Sequence, residues 1–309
     1  MPPYPGIPYG MAPAWCFPLF ECSLYLLFIW CLATAVKKGP RDLFYLLGGL
    51  GFGLLLEYME VVMGSYTYGH FWIMLGKAPN DIPFCIGVGW GIIMYSARLF
   101  TDRFGLSIWA AAALDTLLAL NIDLSMDVVA YRTHMWHWYW TTPGQNPLTM
   151  QWFGIPYGNF VGWQTVVFCY SGFSRLFEKR LLRAQTGVFK FIMVAILALL
   201  CSLAVLYVTE QIWPLMQKLG ILSVHRFVGI CIILLGMVLA GWRYKAVKAE
   251  SLPAVTWWVP GCCHLLFISC FFGLGFYLEN KWMTVAAVVN VLIGVALHLG
   301  PFLKKKAKD

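Results

Sequence analysis

Nine stretches of about twenty largely apolar residues follow one another along this 309-residue chain, and that succession limits the fold more than any motif does. A helix rising about 1.5 Å per residue needs about 20 residues to cross the hydrocarbon core of a bilayer. The stretches are 15–36, 43–63, 81–99, 104–129, 154–177, 187–209, 223–243, 257–278 and 282–301. The fourth is longer than a bilayer requires, so its last turn is expected to emerge. The second and third are the least apolar. Charged residues make up only 12% of the chain and hydrophobic ones 60%, whereas soluble domains carry roughly a quarter charged residues. The expected fold class is an all-α polytopic membrane protein with about nine transmembrane helices.

Basic residues give this division an orientation. With the N-terminus outside the cytoplasm, seventeen Lys and Arg fall on cytoplasmic connections and five outside. The outer five are Lys77, Arg132, Lys218, Arg226 and Lys281. This excess is what the positive-inside rule expects of an N-out, C-in chain. The net charge of +8 is spread between apolar spans rather than gathered in a patch, so nucleic acid is not an expected partner.

Ten cysteines are present without any CxxC pair, and most lie within apolar runs, where they read as small apolar side chains. The opening residues lack the basic region of a signal peptide. Four segments are expected: a Pro/Gly-rich lead-in over 1–14, a five-helix half over 15–177, a basic cytoplasmic loop over 178–186, and a plainer four-helix half over 187–309 whose role the sequence leaves open. No internal repeat is evident. The chain is expected to be an integral multi-pass protein of the bacterial cytoplasmic membrane or its equivalent, surrounded by membrane lipids.

Ionisable groups inside spans are costly and point to function. The run "NIDLSMDVVAYRTHMWHWYW" (Asn121 to Trp140) sets Asp123 and Asp127 four residues apart, on one helix face. Asp115 precedes them on roughly the same third of that helix. In the second stretch Glu57 and Glu60 are three apart. With N-out topology these acids gather toward the outer side. If the second and fourth helices pack together, a carboxylate-lined pocket opens there. Like charges so close in low dielectric cannot all ionise, so at least one carboxylic acid is expected to keep its proton. His134 and His137 are three apart and His70 also falls on the outer side, so with Glu57, Glu60, Asp123 and Asp127 they could hold two irons, but the repeated HxxHH-type boxes of membrane desaturases are missing and no metal is expected. Most of the fifteen tryptophans fit an interfacial belt. Trp136, Trp138 and Trp140 nevertheless follow the acids directly, and aromatic faces can hold an apolar chain or stabilise a transient cation.

The stretches "DLSMD", "WHWYW" and "FGIPYGNFVGW" (Phe153 to Trp163) resemble the CruF-type carotenoid biosynthesis membrane proteins, the bisanhydrobacterioruberin and γ-carotene hydratases. Upstream, "GLLLEYMEVVMGSYTYG" is similar to that family's Glu followed by a Gly-x-Tyr-x-Tyr turn, and "DIPFCIGVGW" to its Pro-containing run ending in Trp. The resemblance covers about residues 45–175. Glu60 departs from it, standing where glycine is expected, as does Val128, where proline is frequent. The resemblance implies catalytic roles for Glu57, Asp123 and Asp127. It implies a substrate-binding group of Tyr66, Tyr68, Trp136, Trp138, Asn159 and Trp163, to which Asp115 is added from its place on the helix.

It also implies hydration of a terminal C=C bond of a carotenoid or other long isoprenoid lipid, a reaction that needs no cofactor. A neutral carboxylic acid protonates the less substituted carbon, a tertiary cation forms, and water adds while a second carboxylate takes the excess proton. Either Asp123 or Glu57 fits the acid, with Asp127 orienting water. Three alternatives stay open at this point: cyclisation or isomerisation of an isoprenoid by the same acid chemistry, a proton-coupled transporter, and a non-catalytic pigment-binding subunit.

Overall fold

The computed structural model describes residues 12–138, 151–182, 187–242 and 252–306. Trp140 and most of the N-terminal lead-in therefore lie outside the described residues. Within them the chain forms nine α-helices: α1 (Cys16–Lys38), α2 (Pro40–Val62), α3 (Phe84–Thr101), α4 (Ile108–Arg132), α5 (Tyr157–Leu181), α6 (Val188–Lys218), α7 (Ser223–Gly241), α8 (Val255–Gly273) and α9 (Lys281–Lys306). Helix α5 continues through Glu178 to Leu181, so the start of the segment expected to be a basic loop is helical.

Eight of these helices are long and apolar enough to cross a bilayer. The exception is α5, which is 25 residues long but polar. Its Gln164, Ser171, Ser174, Arg175 and Glu178 are all buried. Average hydropathy is blind to facing: the polar residues of α5 turn into the bundle, where other side chains meet them. The opposite pattern holds for α6, α7 and α9, whose exposed side chains include Leu200, Tyr207, Ile232, Ile233 and Leu292. Those faces suit lipid.

Helix α3 is the centre of the molecule. It packs against α1, α2, α4 and α8, and 89% of its spanning window is buried. This corrects the expectation that α2 and α4 lie side by side, because α3 stands between them. The close approach of α2 to α3 rests on small residues. A Cβ at Gly53 would come within 2.6 Å of Trp90. Lipid tails are as apolar as leucine, so helices in a bilayer associate through such close packing rather than through hydrophobic burial.

One end of the bundle carries three small antiparallel ribbons. β1 (Tyr66–Tyr68) pairs with β4 (Trp136–Trp138), β2 (Met74–Leu75) with β3 (Ile82–Pro83), and β5 (Gln151–Trp152) with β6 (Ile155–Pro156). The β1–β4 register is Tyr66 to Trp138, Thr67 to His137 and Tyr68 to Trp136. Residues two apart on a strand share a face, so two tyrosines and two tryptophans form a single aromatic roof. Two ties hold this ribbon end to the helices. Glu21 of α1 is buried and accepts from the Tyr25 hydroxyl at 2.7 Å and the Trp72 amide at 2.8 Å. Arg132, at the end of α4, forms a two-pronged pair with Glu279 at 2.7 Å and also donates to the Phe153 carbonyl at 2.9 Å. Phe153 has a left-handed backbone (φ 47°), a conformation that such tethering maintains.

The other end is held by arginines. Arg98 donates to both Glu178 oxygens at 2.8 and 2.6 Å. Arg175 reaches Asp102 at 2.8 Å and Asp115 at 2.7 Å, and Arg41 reaches Glu178 at 2.7 Å. This network ties α2, α3, α4 and α5 together.

Candidate functional site

Beneath the aromatic roof the acids of α2 and α4 converge although α3 packs between their helices. Glu57, at the ribbon end of α2, is buried. One of its oxygens accepts from the hydroxyls of both Tyr66 and Tyr68, and the other accepts from the Trp90 indole at 2.7 Å. Burial and the adjacent Glu57 carboxyl hold both phenols far above their usual range, so each remains an O–H donor. Trp90 in turn stacks on Trp163 of α5, with ring centroids 3.8 Å apart and planes 17° from parallel.

Asp123 and Asp127 occupy one face of α4, as their spacing requires. Both are buried, Asp123 completely. Asn159, in the first turn of α5, donates to Asp127 at 2.5 Å and lies 3.5 Å from Asp123. It does not cap its helix: the N-cap is Pro156, with no side-chain cap bond. Both carboxyl groups lie within reach of one amide, and Trp136 lines the same cavity head as Asp127. None of Glu57, Asp123 and Asp127 is in an ion pair among the described residues.

Two cavities meet at this cluster. The first, about 60 Å³, runs between α1, α3 and α8 and has walls of Phe20, Leu24, Leu27, Ile93, Cys263 and Phe267. Its head is closed by Glu57, Asp127, Asn159 and the four roof aromatics. The second, about 440 Å³, is lined by Glu57, Glu60, Ser65, Asn159 and Glu210 together with aromatic residues. Glu57, Tyr66, Trp90, Trp138, Asn159 and Trp163 are common to both. An apolar slot and a carboxylate-rich vestibule thus share one wall, with Glu57 in it.

Nine of the ten residues singled out in the sequence come together here: Glu57, Tyr66, Tyr68, Asp123, Asp127, Trp136, Trp138, Asn159 and Trp163. Asp115 does not join them. Eight residues is about 12 Å of helix, and its carboxylate is engaged at the arginine end by Arg175 and by the Ser171 hydroxyl at 2.6 Å. Asp123 is one layer behind Asp127 and does not line either cavity.

Sequence reasoning passed over Trp90, although it ends the "DIPFCIGVGW" run, because an indole in an apolar span carries no signal of its own. It also passed over Cys263 and Phe267, which read as ordinary apolar positions in a plain helix. The histidines go elsewhere: His137 stacks on Tyr131, with centroids 5.7 Å apart, and His134 occupies a left-handed backbone position (φ 57°) leading into β4.

A family profile described as "Carotenoid biosynthesis protein" matches residues 20–225, well over half of the chain. The chain belongs to the carotenoid biosynthesis protein family. No curated protein and no solved structure matches it. The matched region contains every residue of the acid cluster and ends before α8, whose Cys262, Cys263, Leu266 and Phe267 form one wall of the apolar slot. For a carotenoid biosynthesis protein the implied substrate is a lipid-soluble isoprenoid. The cluster presents buried carboxyl groups and aromatic faces at the head of an apolar slot.

Proposed function

We propose that this protein is a hydratase that adds water to a terminal C=C bond of a carotenoid or related isoprenoid, within the bacterial cytoplasmic membrane or its equivalent. The observation that carries this reading is the shared wall. An alkene comes from the lipid side and water from the aqueous side, and the acids stand where an apolar slot and a polar vestibule meet.

In this reading two carboxyl groups so close in a buried site carry one proton between them; it passes from Asp127 to the less substituted alkene carbon, and the electron pair of the double bond forms the new C–H bond. The tertiary cation left behind is faced by the roof aromatics and by Trp90 and Trp163. Glu57, which accepts three hydrogen bonds and faces both cavities, supplies the compensating negative charge. A water molecule from the vestibule adds to the cation, and its surplus proton passes to Glu57 and from there through water back to the aspartates. The sum is alkene plus water giving a tertiary alcohol. Asp127 is the acid here rather than the water-orienting base, because Asp127 and not Asp123 faces the slot. N-out topology would place the vestibule on the outer side.

The test is expression in a bacterium that makes an acyclic carotenoid, grown in ¹⁸O-labelled water. The expected product is a tertiary alcohol carrying one labelled oxygen. An unlabelled isomer of the starting pigment would replace hydration with cyclisation or isomerisation. Unchanged pigment from folded, inserted protein would remove the catalytic reading altogether.

A further inference from the structure

We propose that the slot between α1, α3 and α8 is the seat of the isoprenoid end segment, entered sideways from the bilayer between α1 and α8, and that Gly89 keeps it open. The inference rests on the hydratase reading only for the identity of the occupant.

The slot's direction follows from its walls. Phe20 to Leu27 on α1 and Ile86 to Ile93 on α3 each cover eight residues, a rise of about 10 Å of helix. The head lies at Glu57 and Asp127, and the deep end at Leu27, Ile93 and Cys263. Its mouth lies between partly exposed Ser23 on α1 and partly exposed Cys262 and Leu266 on α8. Around that mouth the surface is strongly apolar, with Leu26 68% exposed and Leu265 66% exposed. Such a surface meets acyl chains rather than water. An end group threaded through the mouth therefore reaches the acids without leaving an apolar phase, while the rest of the chain stays along the lipid-facing helices.

Three glycines on α3 separate packing from function. A Cβ at Gly87 would collide with Leu54, and one at Gly91 would press on the α2 backbone at 3.1 Å. Those two are small because α2 is close. At Gly89 an added Cβ meets only Leu24, at an ordinary 3.7 Å. Packing does not require glycine there, and glycine destabilises a helix interior relative to alanine. What a side chain at position 89 would occupy is the slot, because Gly89 is part of its lining. The occupant is a polyene end rather than a phospholipid tail, since the head of the slot is closed by Glu57, Asp127 and the four roof aromatics in a carotenoid biosynthesis protein.

The probe is lycopene added to purified protein, read as pigment absorbance that co-elutes with the folded peak. Wild type is expected to retain pigment, Gly89→Ala to retain less, and Gly89→Leu to retain at least tenfold less with an unfolding temperature no lower than wild type. Independently of any variant, bound lycopene is expected to protect Cys262 and Cys263 of the wild type from a bilayer-soluble maleimide, read by mass spectrometry. Full pigment retention by Gly89→Leu overturns the proposal. So does wild type that holds only phospholipid, or equal labelling of both cysteines with and without lycopene. Wild type that binds lycopene and protects the cysteines, yet yields no labelled alcohol, supports the slot and defeats hydration instead.

Discussion

Two acid clusters occupy opposite ends of one helical bundle, and they are built on opposite principles. At the arginine end, Asp102, Asp115 and Glu178 are each met by a guanidinium from Arg41, Arg98 or Arg175. At the ribbon end, Glu57 and Asp127 take their hydrogen bonds from two phenols, an indole and an amide. A paired carboxylate is neutralised and its position is fixed, which ties helices together but leaves no proton to give. Carboxyl groups held by neutral donors stay oriented without being neutralised. In the proposed reaction their proton can move, and the positive charge that forms beside them is stabilised by groups already oriented toward it. Asp115 and Asp123 sit eight residues apart on one helix and belong to these two different systems, which shows that partner and not residue type decides the role.

The sharpest way to break this comparison is to neutralise each end in turn. Asp127→Asn and Glu57→Gln preserve shape and are expected to lower product formation by about 10²- to 10⁴-fold, the range of general acid–base catalysis. Their unfolding temperatures should stay close to wild type, because no ion pair is lost. Product analysis alongside a thermal melt in detergent checks both halves, and normal turnover in both variants would remove the acids from the chemistry. Arg98→Ala should do the reverse, leaving Glu178 and Asp102 short of a cation. Removing one member of a buried pair typically costs about 3–5 kcal/mol, so little folded protein is expected, while whatever folds should keep its specific activity.

A smaller effect is expected at Asn159. Asn159→Ala removes the amide that donates to Asp127, and misplacing a catalytic group by about 1 Å can cost about a hundredfold in rate. Turnover should fall about ten- to a hundredfold with the melt nearly unchanged. A large loss of stability instead would make Asn159 a packing residue like those at the arginine end.

The smallest expected effect is at His137, on the roof strand. Burial, and secondarily the charge on His134, hold its imidazole below its usual 6.5. A base whose folded value is depressed resists protonation, so its contribution to stability is complete above pH 6.5 and declines as pH falls below that toward the folded value. Wild type should therefore lose a little stability between pH 7 and 5, and His137→Asn should lose less. Parallel melts across that window decide it, and identical slopes would mean that the roof does not sense this proton.

The sequence by itself determined that the chain fills a bilayer with about nine helices, because hydropathy over twenty residues is a local property. It also determined that Asp123 and Asp127 share a face, because helical spacing is fixed by the backbone. The alternation of Tyr66 with Tyr68 and of Trp136 with Trp138 was equally visible, whereas the expectation that the second and third stretches are the least apolar was wrong: the fifth is more polar than either. What it left undecided was who stands next to whom. That α3 separates α2 from α4, that Trp90 clamps Glu57, that Arg175 claims Asp115, and that α8 walls a slot begun by α1 all depend on contacts between residues far apart in the chain. Only the tertiary structure decided these, because a carboxyl group in a membrane acquires its chemistry from the neighbour that compensates its burial, and no local pattern names that neighbour.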